Sequence, residues 1–88
     1  MAIGIRCKGK VQGVFFRATT KSRAEDLGLV GWVKNEQTGD VLIHAEGNKG
    51  DLTKLKDWCK VGSEFAKVQG IETWDKPDEG LDNFEIHY

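Results

Sequence analysis

The sequence predicts an α+β fold in which two helices cover one face of an antiparallel sheet. Three observations predict it. Apolar residues alternate with period 2 at both ends of the chain, helical spacing interrupts that alternation twice, and a glycine follows each helical run. The implied order is strand, helix, strand, strand, helix, strand, with a short extra strand at the end. A chain of 88 residues is expected to make one domain, residues 1–88, with a single modest core and room for one small cleft.

Ile3, Ile5 and Cys7 alternate with Gly4, Arg6 and Lys8, so the first strand has one buried face. From Phe16 the period changes. Phe16, Thr20, Ala24 and Leu27 fall at helical spacing, and Gly28 stops the helix. Leu29 to Asn35 reads as the second strand, with Val30, Trp32 and Lys34 on one side and Gly31, Val33 and Asn35 on the other. Thr38-Gly39 turns the chain, and Asp40 to Glu46 returns antiparallel with Val41, Ile43 and Ala45 toward the core. Leu42 and His44 then point the other way.

Asn48 is placed to cap a second helix whose stripe is Leu52, Leu55 and Cys59, flanked by Trp58, with Lys60 near its end and Gly62 beyond. Ala66, Val68 and Ile71 make a fourth strand. After the Pro77-Asp78-Glu79-Gly80 loop, Phe84, Ile86 and Tyr88 alternate in a terminal strand. This is the ferredoxin-like two-layer sandwich, βαββαβ plus a short C-terminal strand, with one sheet face under helices and the other wet. The architecture by itself assigns no activity.

The segment Gly9-Lys10-Val11-Gln12-Gly13-Val14-Phe15-Phe16-Arg17 joins the first strand to the first helix. Backbone N–H groups at a helix N-terminus form a concave donor site reinforced by the helix dipole, and glycine lets the chain bend into it. Arg17 adds a full charge and a planar fork for two oxygens of a small anion. An arginine opening a helix is most often solvated, and a Gly-x-x-x-Gly spacing often only marks a turn. Gln12, Arg17, Trp32 and Asn35 occurring together in order are hard to explain as punctuation.

Thirteen basic and fourteen acidic residues leave a formal charge of −1, so no global field draws nucleic acid or anionic membranes. No apolar run reaches membrane-spanning length and no signal-peptide pattern opens the chain, so a cytoplasmic location is expected. Cys7 and Cys59 belong to no C-x-x-C pair and read as two buried thiols, a strand-to-helix bridge being the minor alternative. His44 and His87 alternate with apolar positions and are expected on the exposed sheet face, with no metal-ligand spacing. Phe15, Phe16, Trp32, Trp74 and Tyr88 read as packing residues, and Lys8, Lys10 and Lys34 as solvated strand lysines.

The loop Gly9 to Arg17, followed by Leu27-Gly28-Leu29-Val30-Gly31-Trp32-Val33-Lys34-Asn35, resembles the signature of the acylphosphatase family. The similarity continues through Glu46-Gly47 and Phe84-Glu85-Ile86 and so spans essentially the whole chain. Departures are small: Thr38-Gly39 replaces the more usual Asp-Gly or Asn-Gly turn, and Gly62-Ser63 stands where Gly-Pro often follows the second helix. The resemblance implies hydrolysis of the carboxyl-phosphate mixed anhydride, with Arg17 on the phosphoryl oxygens and Asn35 holding the attacking water. Backbone amides around Gln12, Gly13, Val14 and Phe15 would complete the cradle.

That division of labour is chemically sufficient, because a carboxylate leaving group needs little protonation and the barrier lies in positioning water against an anionic phosphorus. Asparagine is no base at neutral pH, so a substrate oxygen is the expected proton acceptor. The implied substrate is a small acyl phosphate, with inorganic phosphate as product and competitive inhibitor, no cofactor or metal, and a monomer as the simplest state. Two alternatives remain. An RNA-binding module shares the topology, although Arg6, Lys8, Leu42 and His44 offer no stacking platform on the outward face. A binding domain for acyl or carbamoyl phosphate without turnover would keep the cradle alone.

Overall fold

The computed structural model describes all residues, 1–88. Its elements are β1 (Ala2–Lys10), α1 (Phe16–Asp26), β2 (Val30–Asn35), β3 (Val41–Glu46), α2 (Lys49–Cys59), β4 (Lys67–Lys76) and β5 (Phe84–His87). The strands form one sheet in the order β4-β1-β3-β2-β5. The expected ferredoxin-like α+β fold is the fold observed. One detail differs: β5 runs parallel to β2, so the sheet is mixed at that edge rather than antiparallel throughout. Residues 77–83 return the chain across the sheet before β5 begins, and that sets its direction.

Strand register determines which side chains meet. Ile5 lies opposite Ile43 and Cys7 opposite Val41, while Val33 and Asn35 lie opposite the same two residues from the other side. Cross-strand neighbours share a face. Cys7, Val41 and Asn35 therefore form one row, and that row faces the helices. Ile5, Val33, Val41 and Ile43 are fully buried there, each worth about 1.5–3 kcal/mol. Phe16, Thr20 and Ala24 of α1 and Leu52, Leu55 and Cys59 of α2 close the core from above. The Asn48 side chain accepts from the Asp51 amide at 2.9 Å and caps α2 as expected.

Cys7 and Cys59 are free and buried. Their mutual hydrogen bond, together with burial, raises the Cys59 thiol well above the ordinary cysteine range, so it stays protonated.

The outer face departs from expectation. His44 is 0% exposed, not a surface histidine, because the segment after β4 folds back over it. His44 Nε2 lies 2.7 Å from Glu46 Oε2, and Glu46 also accepts from the amides of Glu79 and Leu81. Alternation assigned His44 to the outer face correctly. It carried no information about what lies on that face.

Trp32 is likewise more than packing. Its ring stacks on His44 and on His87, at 5.7 and 5.3 Å, and its Nε1 donates to Glu79 at 3.0 Å. His87 remains partly exposed, as expected. Trp74 is at the margin of exposure, lies against Gly4 and sits under the Arg6 guanidinium.

Candidate active site

The loop between β1 and α1 is shaped by its glycines. Gly9 has φ 118°, and a Cβ there would strike the Lys67 carbonyl of the neighbouring strand. Gly13 has φ 73° and Phe15 has φ 61°, with Val14 between them outside the left-handed region. Alternating backbone handedness turns successive N–H groups toward one side, which is how a peptide makes an anion-binding concavity. None of the amides from Gln12 to Ala18 donates to any acceptor in the protein. They include the first amides of α1, where the helix dipole favours negative charge.

Two sets of hydrogen bonds anchor this loop to the rest of the fold. The Gln12 side chain donates to the carbonyls of Glu36 and Asp40, at 2.8 and 2.9 Å, tying the loop to the β2–β3 turn. The Ser63 hydroxyl donates to the Val14 carbonyl at 2.7 Å. Within α1, the Thr19 hydroxyl accompanies its own amide onto the Phe15 carbonyl.

Beside the loop is a cleft of about 270 Å3 whose wall includes Gly13, Phe15, Arg17, Asn35, Ile86 and Tyr88. Arg17 and Asn35 are thus brought to one cavity from positions separated by the whole of α1. Gly13 and Phe15 line it. Gln12 and Val14 do not: the Gln12 carboxamide is committed to the turn, and the Val14 side chain is buried in the core. Any contribution from those two residues is confined to backbone.

Arg17 forms no ion pair. Its Nη1 donates only to the His87 carbonyl, at 3.4 Å, and the Tyr88 ring lies 4.9 Å from its guanidinium carbon. Arg6, by contrast, is engaged by Glu36 at 2.9 Å and Glu72 at 4.0 Å. Asn35 Oδ1 is shielded from solvent and has no hydrogen-bond donor. A buried carbonyl oxygen left unpaired carries a free-energy cost, and such an atom beside an uncompensated arginine marks a place prepared for a ligand.

Phe15 is 75% exposed and Tyr88 fully exposed, so the expectation that they pack in the core does not hold. Phe16 takes the core position instead, with its ring 5.5 Å from that of Trp58. Adjacent side chains at a helix start diverge, and only one of the two phenylalanines can be buried. Ser63 and the Phe15–Tyr88 rim were missed from sequence; a serine directly after Gly62 offered no signal of its long-range bond.

A second groove, of about 320 Å3, lies between α2 and β4 and is lined by Lys49, Lys56 and Asp75 among others. It contains neither unpaired buried atoms nor the anion loop.

Residues 3–86 match the acylphosphatase family model. The chain belongs to the acylphosphatase family. It is 42% identical to an acylphosphatase of Haloarcula marismortui over 91% of this chain and 88% of that protein. Its structure resembles the crystal structure of acylphosphatase from Bacillus subtilis with a TM-score of 0.95 and 39% identity, covering 99% and 98% of the two chains. The acylphosphatase structure from Coxiella burnetii gives a TM-score of 0.94 at 36% identity, covering 98% of this chain and 90% of that one. Acylphosphatase membership makes the chain a hydrolase of acyl phosphates. No helix is long and apolar enough to cross a membrane.

Proposed function

We propose that Arg17 and the amides of the Gly13–Arg17 stretch bind the phosphoryl group of a small acyl phosphate, and that Asn35 fixes the water that attacks it. The observation that carries this reading is the pairing, in one cleft, of an arginine without a carboxylate and a buried Asn35 oxygen without a donor. Gln12 holds the loop through its side chain, bonded to the Glu36 and Asp40 carbonyls, and Val14 contributes only the peptide unit it shares with Phe15.

The guanidinium fork takes two phosphoryl oxygens while the amides face the developing charge. Asn35 Oδ1 accepts a hydrogen bond from the water, leaving a lone pair on the water oxygen aimed at phosphorus. The water oxygen bonds to phosphorus as the bond to the carboxylate oxygen breaks. One water proton stays on the new hydroxyl and the other moves to a phosphoryl oxygen, giving carboxylate and dihydrogen phosphate. Every group needed is a positioning group or an electrostatic one.

The chain is proposed to act as one domain and as a cytoplasmic monomer. An RNA module is the weaker reading, because Trp32 is already clasped between two imidazoles and bonded to Glu79. Hydrolysis of benzoyl phosphate, followed by loss of its ultraviolet absorbance and challenged with inorganic phosphate, tests the proposal. Competitive inhibition by phosphate is expected. Phosphate binding without turnover would instead indicate a sensing domain.

A further inference from the structure

We infer that Ser63 is a positioning residue for the anion cradle, holding the peptide unit between Val14 and Phe15 so that the Phe15 amide faces the cleft. The inference rests on the reading of the cradle proposed above. Ser63 lies between α2 and β4, is buried, and its Oγ donates to the Val14 carbonyl at 2.7 Å across 49 positions of sequence. It is the only side chain from outside the loop and α1 that hydrogen-bonds the backbone between Gly13 and Phe15.

A trans peptide is planar, and its C=O and N–H point in opposite directions. Drawing the Val14 carbonyl toward Ser63 therefore turns the Phe15 N–H the other way. That amide has no acceptor in the protein, and Phe15 lines the cleft while Val14 does not.

The arrangement has a natural competitor. Phe15 has φ 61°, a left-handed conformation that a side chain disfavours and that persists only where its surroundings enforce it. Flipping the Val14–Phe15 peptide changes ψ of Val14 and φ of Phe15. It would carry Phe15 to negative φ, relieve the strain, and withdraw the amide from the cradle. The Ser63 hydrogen bond opposes that flip, because it would leave a buried hydroxyl and a carbonyl unpaired. Ser63 thus acts on the anion through Phe15 without touching it.

The test is the competitive inhibition constant of inorganic phosphate against benzoyl phosphate, measured on the full chain with Tm recorded for each variant. Ser63→Ala is expected to raise that constant and KM together by about three- to tenfold, the worth of one buried hydrogen bond, with a smaller change in kcat. Ser63→Cys, similar in shape but a weak donor, is expected to shift it in the same direction and serves if the alanine variant does not fold. In a Phe15→Gly background the left-handed conformation costs nothing, so adding Ser63→Ala should change the constant by less than about twofold.

An unchanged phosphate constant in folded Ser63→Ala or Ser63→Cys overturns the inference, as does an equal penalty in both backgrounds. A purely structural serine would lower Tm and leave the constant alone. If wild type is not inhibited by phosphate, or Arg17→Ala still is, the cradle reading itself fails, whatever Ser63 does.

Discussion

Arg17 reaches across 70 positions of sequence to donate from Nη1 to the carbonyl of His87 at 3.4 Å. A bond of that length is weak and occupies one donor of five. The terminal strand thus steadies the guanidinium without consuming it, and the charge remains available to an anion in the cleft.

Arg17→Ala is expected to lower kcat/KM for benzoyl phosphate by about 10²–10³-fold and to abolish inhibition by phosphate. Arg17→Lys should recover little, since an ammonium cannot present the two-pronged fork. Retained phosphate inhibition in Arg17→Ala contradicts the assignment.

Asn35→Ala should behave differently, with kcat reduced about 10²-fold or more and the phosphate inhibition constant within about twofold of wild type. Asn35→Asp adds a carboxylate beside the anion and should weaken phosphate binding as well. Equal losses of turnover and phosphate affinity in Asn35→Ala would place Asn35 in the cradle rather than on the water.

Glu46 couples stability to pH. Burial pushes its carboxyl up, but hydrogen bonds from His44 and the amides of Glu79 and Leu81 outweigh it and hold the value below the usual range. For Glu79 the Trp32 hydrogen bond is the largest influence and lowers the value; burial raises it, and His44 and then Lys76 lower it further, so it too lies below the usual range. A folded value below the unfolded one gives stability that is present above the ordinary glutamate value of about 4.3 and lost as pH falls through the folded value. Urea unfolding from pH 7 to pH 3 should show a fall concentrated below about pH 4.3. Glu46→Ala should remove much of that dependence and cost on the order of 2 kcal/mol at neutral pH by leaving the buried His44 imidazole and two part-buried amides without their partner.

Gly13→Ala places a Cβ in open space, so its cost is purely that of a left-handed alanine, roughly 1–2 kcal/mol. Gly31→Ala should destabilise more, because its Cβ would strike the His44 carbonyl on the adjacent strand. Urea denaturation of the two variants side by side checks the order, which an equal loss would contradict.

Thiol reagent should find neither Cys7 nor Cys59 in the native chain and both after denaturation, since both are buried and free. A denatured chain that reacts only after reduction would mean that they are bridged.

Much of the fold and of the candidate site was legible in the residues. Alternation at Ile3, Ile5 and Cys7, helical spacing from Phe16 to Leu27, and the Asn48 cap each depend on neighbours within a few positions. Arg17 stood out as a candidate through the glycine-bent loop before it, whereas Asn35 did so only through the resemblance to the acylphosphatase signature, since an asparagine at a strand end reads by itself as a turn residue. The same local logic misjudged His44, Phe15 and Tyr88, whose surroundings come from distant segments.

Periodicity, caps and glycines determined the elements, their order and the face on which Val33 and Asn35 lie, because those depend on backbone geometry repeated every two or 3.6 residues. Only the tertiary structure decided that Glu79 and Leu81 bury Glu46, that Ser63 holds Val14, and that His87 meets Arg17. Each of those contacts joins residues more than thirty positions apart, and no local pattern encodes a hydrogen bond whose two ends meet only after the chain has folded.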